Sequence, residues 1–122
     1  MFKDILFIGL GGFAGTIGRY ALSTMINQQM KSFLLGTFAV NAIGSLLIGI
    51  IYGLGESRDW MNPQTRTLLA SGFCGGFTTF SAFAFENVRL IESNSFLGSI
   101  AYMIASVSVC ILVGYIGYQL TK

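Results

Sequence analysis

The residues best suited to chemistry lie in one short stretch of the chain. Residues 72–86 read GFCGGFTTFSAFAFE, with three glycines, three hydroxyl residues and five phenylalanines inside an apolar run. Glycine costs about 1 kcal/mol relative to alanine in a helix interior, so this clustering beside two threonines favours a helix that breaks. In lipid, the freed backbone groups must be buried in protein or line a cavity. We therefore expect a third helix broken near mid-membrane, as at many ion and substrate sites, rather than a continuous helix with a small-residue interface.

Two phenylalanines and an asparagine indicate how such a site would treat an anion. Phe80 and Phe83 share a helix face, next to the hydroxyls of Thr79 and Ser81. A benzene ring has a positive edge, and Asn41, well inside the second apolar segment, has N–H donors. Together these groups can replace part of an anion's hydration shell. Two other interpretations stay open: the rings are packing or lipid-facing surface, and Asn41 bonds another helix.

Two charged residues also fall in apolar segments. An arginine at membrane depth is costly, so Arg19 must pair, reach the interface or face water. It either attracts anions into a vestibule or acts structurally, as an interfacial anchor or a donor to backbone carbonyls. Glu86 lies three residues after Phe83. It is either a carboxylate that reaches the interface or a group that gates or hydrogen-bonds the path.

A mildly polar stripe runs along the last apolar segment, where Tyr102, Ser106 and Cys110 recur every four residues. A serine in a membrane helix often bonds only its own i−4 carbonyl, so the stripe alone is weak evidence. If the stripe faces Phe80 and Phe83, it forms a ladder of donors along a pore.

Composition places the chain in the membrane. The 122 residues are 53% hydrophobic and only 10% charged, whereas soluble domains carry about 25% charged residues. Histidine is absent, and both cysteines lie in apolar segments. Metal clusters and Ser/His/Asp or Cys/His catalytic sites therefore lack their partners. The net charge of +2 without a basic run gives no support for nucleic-acid binding.

Four apolar segments must position these residues. Each has about the 20 residues that cross a hydrocarbon core, and the connections are short. We expect an all-α membrane protein whose residues 1–122 form a single transmembrane domain, without a soluble domain. The predicted spans are about 5–26, 33–54, 67–90 and 96–120.

Positive charge is only weakly biased towards one side of the membrane. Four spans put both termini on one side with four positive residues, and two such residues lie on the other side. This weak bias allows insertion in one orientation or in both. Because four helices enclose little interior for a polar path, we expect an oligomer, and two-fold symmetry is the commonest solution.

The motifs and their order resemble those of a known family, the small bacterial fluoride channels called Fluc or CrcB. The resemblance covers the whole chain. It rests on GFAG at 12–15 followed by RY at 19–20, on GTFAVN at 36–41 with GS at 44–45, and on GFCGGFTTFS at 72–81. The third motif is the most specific of the three.

The resemblance implies an assembly and a bound ion. Members of the family are antiparallel, dual-topology homodimers in the bacterial cell (inner) membrane, with two separate fluoride pores per dimer. Their broken third helices cross at the dimer centre, where backbone carbonyls hold a sodium ion. By motif position, these carbonyls belong to Gly75 and Thr78. Hard cations prefer oxygen ligands, which agrees with such a site.

The resemblance also assigns roles within the pore. Phe80, Phe83 and Asn41 match the pore-lining residues, and Arg19 matches the first-span arginine near the aqueous entrance. Glu86, Tyr102 and Ser106 fall on the family's polar track. Cys110 takes a place on the stripe where a hydroxyl is expected, and its thiol is a weaker hydrogen-bond partner.

The sequence therefore predicts a passive, fluoride-selective channel that lets the anion leave the cell and confers fluoride resistance. No nucleotide motif supports coupling to ATP, and no enzymatic activity is expected. The alternative is a small multidrug-type, proton-coupled exporter. Such an exporter needs a membrane-embedded carboxylate in its first span, where this chain has Arg19. A third class, a non-transporting assembly subunit, has no use for Asn41 with the Thr/Phe/Ser cluster.

Overall fold

The computed structural model describes all residues 1–122, and every regular element is a helix. In chain order the elements are α1 (Phe2–Met30), α2 (Leu35–Ser57), α3 (Pro63–Arg66), a π-helix (Thr67–Cys74), α4 (Gly75–Phe77), α5 (Phe80–Glu92) and α6 (Phe96–Thr121).

Four helical segments are long and apolar enough to cross a membrane, which confirms the predicted all-α membrane class. These segments are Phe2–Met30, Leu35–Ser57, Pro63–Glu92 and Phe96–Thr121. Each is longer than its predicted span, because helical hydrogen bonding continues into polar residues beyond the apolar run. The first helix, for example, ends only where Lys31 adopts a left-handed conformation with φ of 51°.

The third membrane segment is assembled from several short pieces. Pro63 begins α3, where its missing N–H costs nothing, and the Asn62 side chain accepts from Thr65 N at 2.8 Å. The π-helix follows directly and was not predicted. Its wider i→i+5 turns are uncommon and occur often at functional sites. Between α4 and α5, Thr78 and Thr79 have extended backbone conformations.

Helix α1 lies directly against the π-helix and α4. The small residue Gly15 is buried at this contact, where a Cβ atom would lie 2.9 Å from Phe77 N. On the opposing segment, a Cβ atom on Gly76 would lie 2.6 Å from Gly12 O. Small residues thus let the two backbones approach closely.

Helices α2 and α6 form the other close pair. A Cβ atom on Gly49 would lie 2.9 Å from the Gly114 carbonyl carbon. At the end of the pair, Tyr118 OH donates to Glu56 at 2.6 Å, and Ser57 Oγ donates to Thr121 O at 2.6 Å. These two glycine-lined contacts leave the segment around Thr78 and Thr79 beside both α2 and α6.

Candidate functional site

The interruption at Thr78 and Thr79 is the centre of the site. Thr78 has φ −89° and ψ 159°, and Thr79 has φ −148° and ψ 118°. Thr78 ends the preceding turn, since its N–H and its Oγ1 both bond Cys74 O at 3.0 Å. Thr79 begins the next helix, since its Oγ1 accepts from Ala82 N at 3.2 Å. A hydroxyl at this position is a favoured N-cap.

Asn41 of α2 binds the interruption on both of its backbone polar groups. Its Nδ2 donates to Thr79 O at 3.0 Å, and its Oδ1 accepts from Thr79 N at 2.7 Å. The side chain therefore bonds another helix, which was one of the two interpretations. An asparagine amide has two N–H groups, so one remains for a ligand. The two interpretations are compatible.

Two backbone carbonyls lose their helical donors at the same place. In a continuous helix, Thr79 N would bond Gly75 O and Ala82 N would bond Thr78 O. Here Asn41 Oδ1 and Thr79 Oγ1 take these two N–H groups. No backbone bond outside the helices ends on either carbonyl oxygen. These are the two carbonyls that the family resemblance associated with a cation.

Arg19 lies beside the same turn, part-buried. Its Nε donates to Gly76 O at 3.0 Å. The structure thus supports the structural interpretation of this residue, as a donor to a backbone carbonyl. The bond joins α1 to the last turn before the interruption, next to Gly75.

A cavity of about 360 Å³ opens beside the interruption, between α2 and α6. It brings together most of the residues predicted to meet an anion. Those lining it are Asn41, Thr79, Phe80, Phe83 and Ser106. Thr78 and Cys110 also line it. Ser81 does not; it is exposed, with its Oγ 3.5 Å from Thr79 Oγ1.

Ser106 is the one residue whose buried side-chain polar atom has no hydrogen-bond partner. Its side chain is only 6% exposed. It does not form the expected i−4 bond to its own helix. A buried hydroxyl without a partner costs about 1–3 kcal/mol, and Ser106 is also one of the residues that line the cavity.

The aromatic rings on the cavity form a continuous series. The Phe80 and Phe83 ring centroids are 5.7 Å apart at 53°, and those of Phe83 and Tyr102 are 5.1 Å apart at 54°. Such tilted pairs present ring edges as well as faces. Phe83 is 9% exposed, whereas Phe80 is 78% exposed, so this chain alone covers only one of the two rings.

Glu86 and Tyr102 lie behind Phe83 and do not line the cavity. Glu86 Oε1 accepts from Tyr102 OH at 2.6 Å, and its Oε2 accepts from Thr37 Oγ1. The carboxylate is therefore held between α2 and α6, which supports its hydrogen-bonding interpretation. Thr37 was not singled out from the sequence, although it precedes Asn41 by one turn and so shares its helix face.

A second buried pair was also missed. Ser99 Oγ donates to Asn87 Oδ1 at 2.8 Å, and Asn87 Nδ2 donates to Phe83 O at 2.9 Å. This chain of bonds fixes the carbonyl of Phe83 and joins α5 to α6. The only sequence signal was a polar side chain in each of two apolar segments, without an indication that the two meet.

Known proteins resemble the chain over nearly its whole length. The family model described as CrcB-like protein, Camphor Resistance (CrcB), matches residues 6–118. The fluoride-specific ion channel FluC of Gloeothece citriformis (strain PCC 7424) is 42% identical over 120 residues, covering 98% of this chain and 97% of that protein. FluC of Sorangium cellulosum (strain So ce56) is 44% identical over 116 residues, covering 94% and 91%. Given these matches, the chain belongs to the CrcB-like family.

Proposed function

We propose that this multi-pass membrane protein is a fluoride-selective ion channel and not an enzyme. The observation that carries the proposal is the cavity beside Thr78 and Thr79. There a free N–H of Asn41, the unpartnered hydroxyl of Ser106 and the phenylalanine rings converge. The names of its relatives as fluoride-specific ion channels support the same conclusion.

The chemistry of the cavity suits a small anion with a strong hydration shell. Conduction requires several partial replacements for water, with no single tight site. The Asn41 amide and Ser106 hydroxyl each supply one donor, and the edges of Phe80 and Phe83 supply weak positive potential. No charged side chain lines the cavity, so fluoride is not trapped by a full positive charge.

The path continues past Phe83 to the cluster of Glu86, Tyr102 and Thr37. Both carboxylate oxygens accept hydroxyl bonds there. Fluoride is itself a strong hydrogen-bond acceptor, and it competes with the carboxylate for these two hydroxyls. In this mechanism, the two hydroxyls donate their hydrogen bonds to fluoride while the ion is present and to the carboxylate once it has left. Glu86 therefore keeps the hydroxyls oriented in the absence of fluoride.

The complete channel is an antiparallel, dual-topology homodimer with two pores. The interruption at Thr78 and Thr79 lies near mid-membrane, where it crosses its counterpart in the second copy. Supporting this, only 20 of 122 residues are buried in the single chain, and Phe80 is largely uncovered although it lines the cavity. A second copy supplies the missing cover, and the weak charge bias permits both orientations.

A sodium ion is proposed at the dimer centre, bound by the carbonyl oxygens of Gly75 and Thr78. The fit is good because the i+4 N–H groups of both carbonyls bond side chains instead, and hard cations prefer oxygen ligands. When bound, the ion supplies positive charge that offsets the exposed carbonyl dipoles. Arg19 holds the neighbouring Gly76 carbonyl in place. Purified protein should melt at a higher temperature in sodium than in an equal concentration of N-methylglucamine, as a bound ligand stabilises the folded state.

The direction of transport follows from the ion's charge. In the bacterial inner membrane, an inside-negative potential drives fluoride outward with about 2.3 kcal/mol per 100 mV. A passive channel is therefore sufficient to lower cytoplasmic fluoride and to confer resistance. The exporter alternative is not favoured, since no carboxylate lines the cavity and the one acidic residue of the first membrane helix, Asp4, lies in its first turn.

The test is ion efflux from liposomes that contain the purified protein, measured with an ion-selective electrode. Fluoride-loaded vesicles should empty rapidly once a potassium ionophore dissipates the opposing potential, whereas chloride-loaded vesicles should not. If folded, dimeric protein releases neither ion, the channel proposal fails, and proton-coupled drug transport becomes the next assay.

A further inference from the structure

Both cysteines of the chain lie at the candidate cavity, although the proposed conduction path uses neither thiol. Cys74 ends the π-helix and is 2% exposed, whereas Cys110 is partly exposed on α6, one turn after Ser106. Both thiols are free. They come from separate membrane segments, so it is the fold that brings them to one cavity.

A second observation concerns the same part of the cavity. Ser106, which lies on the same wall as Cys110, has a buried hydroxyl without a partner. The cavity volume of about 360 Å³ is also ample for one ion, since a water molecule occupies about 30 Å³. Space, an unsatisfied polar atom and two sulfur atoms thus occur together.

We infer that Cys74 and Cys110 form a binding site for a soft, thiophilic metal cation such as Hg²⁺, and that the bound metal obstructs the channel. Soft thiolate ligands select soft metals. No group of three or more His, Cys, Asp or Glu side chains is present to hold a harder divalent metal. Fluoride, a hard anion, competes poorly with sulfur for such a metal.

The binding step is a ligand exchange without oxidation or reduction. As each S–Hg bond forms, the S–H proton passes to water, so one Hg²⁺ bound by two thiols releases two protons. The product is a neutral dithiolate complex. It obstructs passage by occupying the space beside Ser106 and Phe83, rather than by attracting fluoride. This obstruction, unlike the metal binding itself, rests on the proposed channel function.

Binding and obstruction are measured separately on the full-length protein. Mercuric nitrate is titrated into purified protein, the protein is then unfolded in denaturant because Cys74 is buried, and the remaining free thiols are counted with a chromogenic disulfide. We expect one Hg²⁺ per chain to remove both thiols. In liposomes, the same addition should lower fluoride efflux at least about tenfold, which corresponds to about 1.4 kcal/mol in the barrier. Excess dithiothreitol should restore the efflux.

Two variants identify the ligands, each compared with its own untreated efflux. Cys110→Ser restores a hydroxyl to the stripe at a partly exposed position, and Cys74→Ala removes the buried thiol. Each should require at least about tenfold more Hg²⁺ for the same loss, because a single thiol loses the effective concentration of the second. If Cys74→Ala does not fold, Cys110→Ser alone decides the question.

The inference is overturned if a folded variant keeps the sensitivity of the natural chain, or if both thiols are consumed while efflux is unchanged. The proposed function fails in a different way. In that case the untreated protein carries no fluoride, while the thiol titration still shows whether the two cysteines bind the metal.

Discussion

Two polar clusters lie on opposite sides of the Phe83 ring, and they differ in how completely their hydrogen bonds are made. In the Glu86 cluster, both carboxylate oxygens accept from hydroxyls on neighbouring helices. In the cavity cluster, Asn41 keeps one N–H after binding Thr79, and Ser106 has no partner. We call the first cluster closed, because its carboxylate oxygens are satisfied within the protein, and the second open, because it keeps donors without partners.

The difference indicates where an ion would add most. Buried polar groups in folded proteins are usually satisfied, so the exceptions call for an explanation. A closed cluster holds helices in register, and its donors can bind an ion only by giving up an existing hydrogen bond. An open cluster offers donors at no cost to existing bonds. We therefore expect the largest losses of conduction from substitutions of Asn41, Phe80 and Phe83 in the cavity. Substitutions in the Glu86 cluster should lower stability at least as much as they lower conduction.

The largest effect is expected for Asn41→Ala. This change removes the spare donor and also both bonds to Thr79, so fluoride efflux should fall by about a hundredfold or more, as for about 2.7 kcal/mol of barrier. Stability should fall by about 2–3 kcal/mol, at about 1 kcal/mol per bond plus the buried groups left unpaired. Efflux assays and denaturant unfolding in detergent measure the two. Efflux like that of the natural chain would show that Asn41 is not on the path.

A related change separates the two roles of this residue. Asn41→Asp keeps an acceptor for Thr79 N but offers no N–H donor and adds negative charge. It should conduct fluoride no better than Asn41→Ala, and it should be less stable than the natural chain, because the second carboxylate oxygen faces Thr79 O where Nδ2 donated. If Asn41→Asp conducts normally, the spare N–H is not what fluoride meets in the cavity.

The next effect is expected for the two pore rings. Phe80→Ile and Phe83→Ile remove the positive ring edges while keeping an apolar side chain. Each should lower fluoride efflux at least about tenfold, equal to about 1.4 kcal/mol, while the dimer survives. Phe85→Ile is the matched control, since Phe85 is on the same helix but does not line the cavity. Normal efflux in both pore variants would refute their assignment.

A smaller effect on conduction is expected from opening the closed cluster. Tyr102→Phe keeps the ring against Phe83 but removes the bond to Glu86 Oε1. Leaving this carboxylate oxygen without its donor should cost about 1–3 kcal/mol of stability. Fluoride efflux should fall only severalfold, since the open cavity is intact. A larger loss than that of Phe83→Ile, with unchanged stability, would reverse the ranking of the two clusters.

The sequence predicted the helices well because each apolar run is long enough for one membrane crossing. The extended residues Thr78 and Thr79 fall within the stretch whose glycines and threonines act locally, through poor helix propensity and capping. The π-helix was missed because apolar residues at i+3 and i+4 do not distinguish it from an α-helix. The π-helix lies against α1, a contact that the sequence of one segment does not specify.

The sequence predicted which residues belong to the candidate site, but not the hydrogen bonds that join them. Asn41 and Thr79 are 38 positions apart, and Thr37 and Glu86 are 49 positions apart. Such pairs depend on how helices face each other, and no local pattern specifies this. The sequence therefore left Asn41 with two competing interpretations. Only the fold showed that one side chain bonds Thr79 and still keeps a free donor.

The smallest effect, and the sharpest contrast between the clusters, is expected for Ser106→Ala. Removing this hydroxyl breaks no bond within the protein. Since an unsatisfied buried hydroxyl is destabilising, the variant should be as stable as the natural chain or more stable, by up to about 1 kcal/mol. Fluoride efflux should nevertheless fall about two- to fivefold, because one donor of several is lost.

Lower fluoride efflux without a loss of stability distinguishes an ion-binding hydroxyl from a structural one. Ser23→Ala is the control, since Ser23 Oγ donates only to Tyr20 O of its own helix; it should change neither quantity appreciably. Paired efflux and unfolding measurements on both variants decide the matter. If Ser106→Ala loses stability and keeps its efflux, the hydroxyl has a structural partner, such as a buried water, and the cavity is as closed as the Glu86 cluster.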